Sequence, residues 1–128
     1  MSINHTTIRI VIADDHASVR TSLHRSLKLQ PRCEVVAEAE NGSEAVALVE
    51  KIHPDLVLMD ISMPVMNGIE ATGMITSQFP GTKVIILTAH TDECYLNRAY
   101  QAGASRCLVK TCGNEELLRA IMDCSSGC

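Results

Sequence analysis

Ile8-Arg9-Ile10-Val11-Ile12-Ala13-Asp14-Asp15 and Leu56-Val57-Leu58-Met59-Asp60 follow one pattern, a short apolar run that ends on acid. Runs that are apolar at nearly every position, without the alternation of a half-exposed strand, predict strands covered on both faces, as in a parallel sheet. Residues 35–37, 84–87 and 107–109 supply three further apolar runs, for five strands in all. Helical spacing fills the intervals. Val19, Leu23 and Leu27 form one apolar stripe, and Ala45, Val46, Val49 and Ile52 a second. Ile69, Thr72, Ile75 and Phe79, then Leu96, Ala99 and Ala102, then Leu117, Leu118 and Ile121 mark three more helices.

Strand and helix thus alternate five times with short connections. Right-handed crossovers wind such a chain into an α/β fold, a (βα)5 doubly wound parallel sheet with helices on both faces. Asn41 with Glu44 three residues on predicts a helix cap, and Asn67-Gly68, Pro80-Gly81 and Gly103 punctuate later boundaries. At 128 residues a single domain over 1–128 is expected, its core spanning about 8–122. Residues 125–128 read as the start of a linker or a frayed end.

Composition narrows the function. A formal net charge of −4 and an aromatic content of 2% leave neither a basic footprint nor a stacking platform for nucleic acid. No apolar run reaches the ~20 residues of a membrane span, and Met1-Ser2-Ile3-Asn4-His5 lacks a signal pattern, so a cytoplasmic protein is expected. The six cysteines form no CxxC pair, which argues against a zinc knuckle and for free thiols.

The informative feature is where the polar residues fall. Asp14 and Asp15 follow the first strand, Asp60 the third, Thr88 the fourth and Lys110 the fifth. Ligands of open doubly wound sheets bind outside those carboxyl ends, where strand order reverses, so five side chains distant in sequence meet in one cleft. Glu40, after the second strand, lies away from it and has no assigned role. Three carboxylates at ~4 Å repel by about 4 kcal/mol per pair at an effective dielectric near 20. Lys110 offsets one charge, and a divalent cation offsets the rest; carboxylate, carbonyl and water oxygens suit Mg²⁺. A carboxylate beside a metal, a cation and a hydroxyl donor has the parts to accept a phosphoryl group.

At these residues the chain closely resembles the receiver domains of two-component response regulators, through IRIVIADDH, LVLMDISMPVMNG, VIILTAH and GASRCLVK. The resemblance implies a flavodoxin-like sheet of order 2-1-3-4-5. It implies that Asp60 is the phosphoacceptor and that Asp15, Asp60 and the Ser62 backbone carbonyl ligate Mg²⁺, with Asp14 acting through a bound water. Thr88 and Lys110 match the switch hydroxyl and the phosphate-binding lysine, Ala89 keeps the next position small, and Pro64 and Gly68 match the turn after the phosphoacceptor. Ser62 and His90 fill positions that tune autodephosphorylation, and His16 reads as a helix-entry residue. The partner implied is a sensor histidine kinase or phosphotransfer protein, with homodimerisation on phosphorylation and no catalysis beyond the domain's own phosphoryl transfer and autodephosphorylation.

The DDH triplet and the wording around LTAH resemble receivers that precede a LuxR-type helix-turn-helix, so the chain is either a stand-alone receiver or the receiver of a longer transcription factor. Cys107 stands where the family usually has an aromatic ring that moves with the switch threonine, leaving the relay to Thr88 and the fourth helix, or to Tyr95 or Tyr100. Thr111 replaces a frequent proline after Lys110, and no cis bond is expected there. Two other classes fit less well. A metal-dependent aspartyl phosphatase of the haloacid dehalogenase type needs a DxD motif in place of adjacent Asp14-Asp15, and a flavin or nucleotide module needs a Gly-rich first loop where this one is acidic.

Overall fold

The central apolar runs become the inner strands of a five-stranded parallel sheet. In the computed structural model, which describes residues 7–89 and 92–125, the elements are β1 (Ile8–Ala13), α1 (Ala17–Lys28), β2 (Cys33–Ala39), α2 (Gly42–Ile52), β3 (Leu56–Met59), α3 (Gly68–Gln78), β4 (Lys83–Thr88), α4 (Glu93–Gln101), β5 (Arg106–Val109) and α5 (Asn114–Ser125). The sheet order is β2-β1-β3-β4-β5. β1 and β3 begin where their apolar runs begin, whereas β2 extends beyond residues 35–37 on both sides. Glu34 and Glu38 are exposed or half-exposed along β2, because an edge strand keeps one flank near water. Polarity hides those residues from a search for apolar runs.

Side chains alternate across the sheet and build two cores. Ile8, Ile10 and Ile12 of β1 face α1 and α5, where they meet Leu27, Leu117 and Ile121. Val11 and Ala13 face the other way, toward Ala45 and Val49 of α2, Ile69 and Ile75 of α3, and Ala99 of α4. Helices therefore cover both faces, and this burial is what makes the strands continuous in apolar character.

The caps were partly foreseen. The Asn41 side chain accepts from the Glu44 N–H at 2.8 Å, but the Glu44 carboxylate turns to the Glu40 N–H instead of closing a reciprocal box. The closed box belongs to α3, where Asn67 accepts from the Glu70 N–H at 2.9 Å and Glu70 accepts from the Asn67 N–H at 3.3 Å. Gly68 opens that helix against the Asp60 carbonyl, into which any side chain would collide. The C-terminal end of α4 is held from α3: the Thr76 hydroxyl lies 2.6 Å from the Ala102 carbonyl oxygen and 2.9 Å from that of Thr72. Gly103, at φ +114°, packs on Thr76 so closely that a Cβ would overlap it.

Candidate functional site

The hydrogen-bond ladder of the sheet continues one residue past its strands and fixes the site backbone. The Asp14 N–H donates to Ala39 O at 3.0 Å, the Asp60 N–H to Ala13 O at 2.9 Å, and the Lys110 N–H to Thr88 O at 2.7 Å. Ala13 pairs with Met59, so Asp14 and Asp60 leave adjacent strands side by side. Thr88, the last residue of β4, is fully buried and pairs with Val109, the residue before Lys110.

Four ligand-bearing side chains converge there. Carboxylate oxygens of Asp14, Asp15 and Asp60 and a ring nitrogen of His16 all lie within 4.8 Å of one another. Asp14 and Asp60 are 3% and 5% exposed, so their charges are largely cut off from water. Lys110 Nζ reaches Asp14 Oδ2 at 2.7 Å and Asp60 Oδ1 at 3.5 Å. Asp14 Oδ1 accepts the His16 N–H at 2.9 Å, which leaves both of its oxygens engaged. Burial pushes the Asp60 carboxyl above the usual carboxylate range, and the neighbouring Asp14 charge adds to this against the pull of Lys110 and the Ile61 N–H. For Lys110, burial acts to lower the pKa, but the bond to Asp14 and the charges of Asp60 and Asp14 outweigh it and hold the ammonium protonated above its usual range.

The residues present fit a hard divalent cation. Three carboxylates against one lysine leave a net charge of about minus two, and two of those carboxylates, Asp14 and Asp60, are buried. The two rim residues expected from the sequence, Ser62 and Ala89, are exposed in the loops that follow β3 and β4. His90, expected beside them, lies outside the described residues. Cys107 is half-buried on β5 against the α2–α3–α4 core.

This geometry has a counterpart among known proteins. Residues 10–122 match the response regulator receiver domain. The chain belongs to that family. Receivers of this kind are signalling switches of two-component systems, and the five-stranded order 2-1-3-4-5 is theirs. The chain is 42% identical over 125 residues to the transcriptional regulatory protein DegU of Brevibacillus brevis, covering 98% of this chain and 53% of that protein. It therefore spans about half the length of the curated relatives it matches. Among solved structures, the signal receiver domain of NarL from Mycobacterium tuberculosis superposes with a TM-score of 0.91 at 32% identity, covering 96% of this chain and 99% of that one. A LuxR-family two-component response regulator from Aurantimonas gives 0.89 at 36% identity, covering 95% and 87%.

Three contacts of this receiver escaped the sequence. Arg20 donates to the Asp14 carbonyl at 2.5 Å and pairs with Glu38 at 3.0 Å, tying α1 and β2 to the acidic turn. Its only signal was a basic residue one turn into a helix that follows two acids. The His16 ring turns to the acidic pair although the residue is, as expected, the helix entry. The Cys107 N–H donates to the Tyr100 hydroxyl at 3.1 Å, a bond between α4 and the outer edge of β5 that only the fold creates.

Proposed function

We propose that this receiver takes up a phosphoryl group on Asp60 and passes the event through Thr88 to the surface formed by α4, β5 and α5. The observation that carries the reading is the unequal pairing of the two buried carboxylates. Lys110 contacts Asp14 closely and Asp60 loosely, so Asp60 is the buried acid that the ammonium holds less firmly and that is the freer to react. Its nearest competitor, Asp14, has both oxygens occupied.

In this reading Asp15, Asp60 and the Ser62 backbone carbonyl hold Mg²⁺, with Asp14 contributing through a water. The ion supplies charge neutralisation for the phosphoryl oxygens. Lys110 binds one of those oxygens and keeps its ammonium protonated throughout. Ala89, small and exposed, leaves room for the group. Thr88 donates its hydroxyl to a phosphoryl oxygen, which draws the end of β4 inward and biases a two-state surface. Ser62 and His90 set how easily water reaches the phosphoryl group, the one reaction the domain catalyses besides its own loading.

With Cys107 in the place of a ring, α4 itself carries the signal. Its C-terminal end is held by Thr76, Gly103 and the Tyr100–Cys107 bond, so motion that follows the end of β4 pivots the helix about that end. The phosphodonor is a sensor histidine kinase or phosphotransfer protein, and the switched surface pairs two receivers. The output is transcription, through a DNA-binding part outside these residues, because DegU is named a transcriptional regulatory protein and extends well beyond the matched region. Among the described residues no helix is long and apolar enough to cross a membrane, which suits work in the cytoplasm.

Incubation with Mg²⁺ and acetyl phosphate tests the assignment. A hydroxylamine-labile adduct on Asp60, absent from Asp60→Asn, is expected; undiminished labelling of that variant would sink it.

A further inference from the structure

The backbone of Asp14 is held on both sides from the end of β2. Its N–H donates to Ala39 O at 3.0 Å, and its carbonyl oxygen accepts from Arg20 Nη1 at 2.5 Å. Arg20 is fixed in turn by Glu38, the residue before Ala39, whose Oε1 accepts from Arg20 Nε at 3.0 Å. The other Glu38 oxygen accepts from His24 Nδ1 at 3.2 Å, one turn further along α1. These contacts close a ring through Asp14, Ala39, Glu38 and Arg20. β2 contributes none of the clustered ligand side chains, yet it holds the acidic turn through this ring.

We propose that Arg20 is a positioning residue for phosphoryl uptake: backed by Glu38, it clamps the Asp14–Asp15 peptide and keeps both acids in the arrangement that loads Asp60. The proposal rests on the reading of Asp60 as phosphoacceptor and adds a residue that acts without touching the phosphoryl group. The Asp14 C=O and the Asp15 N–H belong to one planar peptide, so the direction of that carbonyl sets how Asp15 leaves the turn. Carboxylate oxygens of Asp14, Asp15 and Asp60 gather within 4.8 Å and repel, which drives the turn open. A charge-assisted bond from a guanidinium whose side chain is only 13% exposed resists that opening. A pair that merely pinned α1 to β2 would have no use for a second bond onto the acidic turn. Displacing reacting groups by about 1 Å can cost on the order of a hundredfold in rate, so the clamp has a kinetic consequence.

Labelling of Asp60 by acetyl phosphate and Mg²⁺ should be timed in the parent protein, Arg20→Gln, Glu38→Gln and the double variant, with circular dichroism confirming that each is folded. Arg20→Gln should label about tenfold more slowly and Glu38→Gln about threefold. The double variant should match Arg20→Gln, because Glu38 acts through Arg20. The two single changes alter charge in opposite senses, so an effect of the electric field alone would move their rates in opposite directions. In the metal-free proteins, hydrogen exchange should quicken in both single variants at the Asp14 N–H, bonded to Ala39 O, and at the His16 N–H, bonded to Asp14 Oδ1, while β3 and β4 keep the parent's protection. Labelling of Arg20→Gln within about twofold of the parent, opposite shifts in the single variants, losses that multiply in the double variant, or unchanged exchange at Asp14 and His16 would overturn the proposal. If Arg20→Gln does not fold, Glu38→Gln decides by its labelling rate and its exchange at Asp14. Where the parent is labelled on Asp60, any of those results removes the role of Arg20 alone; a parent that is not labelled there takes the phosphoacceptor reading down with it.

Discussion

Lys110 Nζ lies 2.7 Å from Asp14 Oδ2 and 3.5 Å from Asp60 Oδ1, so one ammonium serves two buried carboxylates unequally. The arrangement is tense by construction. Asp60 is 5% exposed and carries its charge beside Asp14 with a partner that is mainly engaged elsewhere. A group held this way weakens the fold in order to be available for chemistry.

Removing the Asp60 charge should therefore stabilise the metal-free domain. Asp60→Asn is expected to gain roughly 1–2 kcal/mol at neutral pH, a rise of several degrees in Tm. The sign follows from the raised carboxyl pKa. The folded chain keeps the Asp60 proton to higher pH than the unfolded chain, whose carboxyl titrates near 3.8, so stability falls as pH rises through that window. The advantage of Asp60→Asn should accordingly shrink as pH is lowered toward 4. Thermal melts in EDTA at several pH values check both the gain and its slope.

Magnesium should reverse the same penalty. A ligand that binds only the folded chain at ten times its Kd adds about 1.4 kcal/mol, and the acidic pocket is the site proposed to bind it. Melts with millimolar Mg²⁺ should rise in the parent protein and stay flat in Asp15→Asn and Asp60→Asn. An equal rise in all three would place the ion elsewhere.

Much of this was legible in the sequence, and the reason is physical. Buried parallel strands must be apolar along nearly their whole length, so β1 and β3 declare themselves, and each is followed by an acid that enters the pocket. β2 is an edge strand and hides its ends among Glu34 and Glu38. That Asp14, Asp60 and Lys110 meet was legible because strand ends are countable. Arg20 and the His16 ring were not, since their roles depend on where α1 lies over the acidic turn.

The contact between α4 and β5 was equally beyond a linear reading. Tyr100→Phe keeps the ring and removes the acceptor of the Cys107 N–H. A loss of about 1 kcal/mol is expected, with faster hydrogen exchange confined to α4 and β5. Unchanged exchange at Cys107 would remove Tyr100 from the relay.

Val65 offers a test of strain beside the site. It sits at φ +69° with the Met66 N–H bonded to Pro64 O at 2.7 Å, a tight turn with a β-branched residue in the left-handed region. Its side chain is 84% exposed, so truncation costs no packing. Val65→Gly should raise the urea midpoint by an amount worth about 1 kcal/mol without changing the slope of unfolding.

The most direct test of Asp60 as phosphoacceptor is intact-mass and peptide mapping after acetyl phosphate and Mg²⁺. The account predicts a single added phosphoryl group on the peptide containing Asp60, removed by hydroxylamine and missing from Asp60→Asn. An adduct of the same stoichiometry on Asp14 or Asp15, or one that persists in Asp60→Asn, would contradict it.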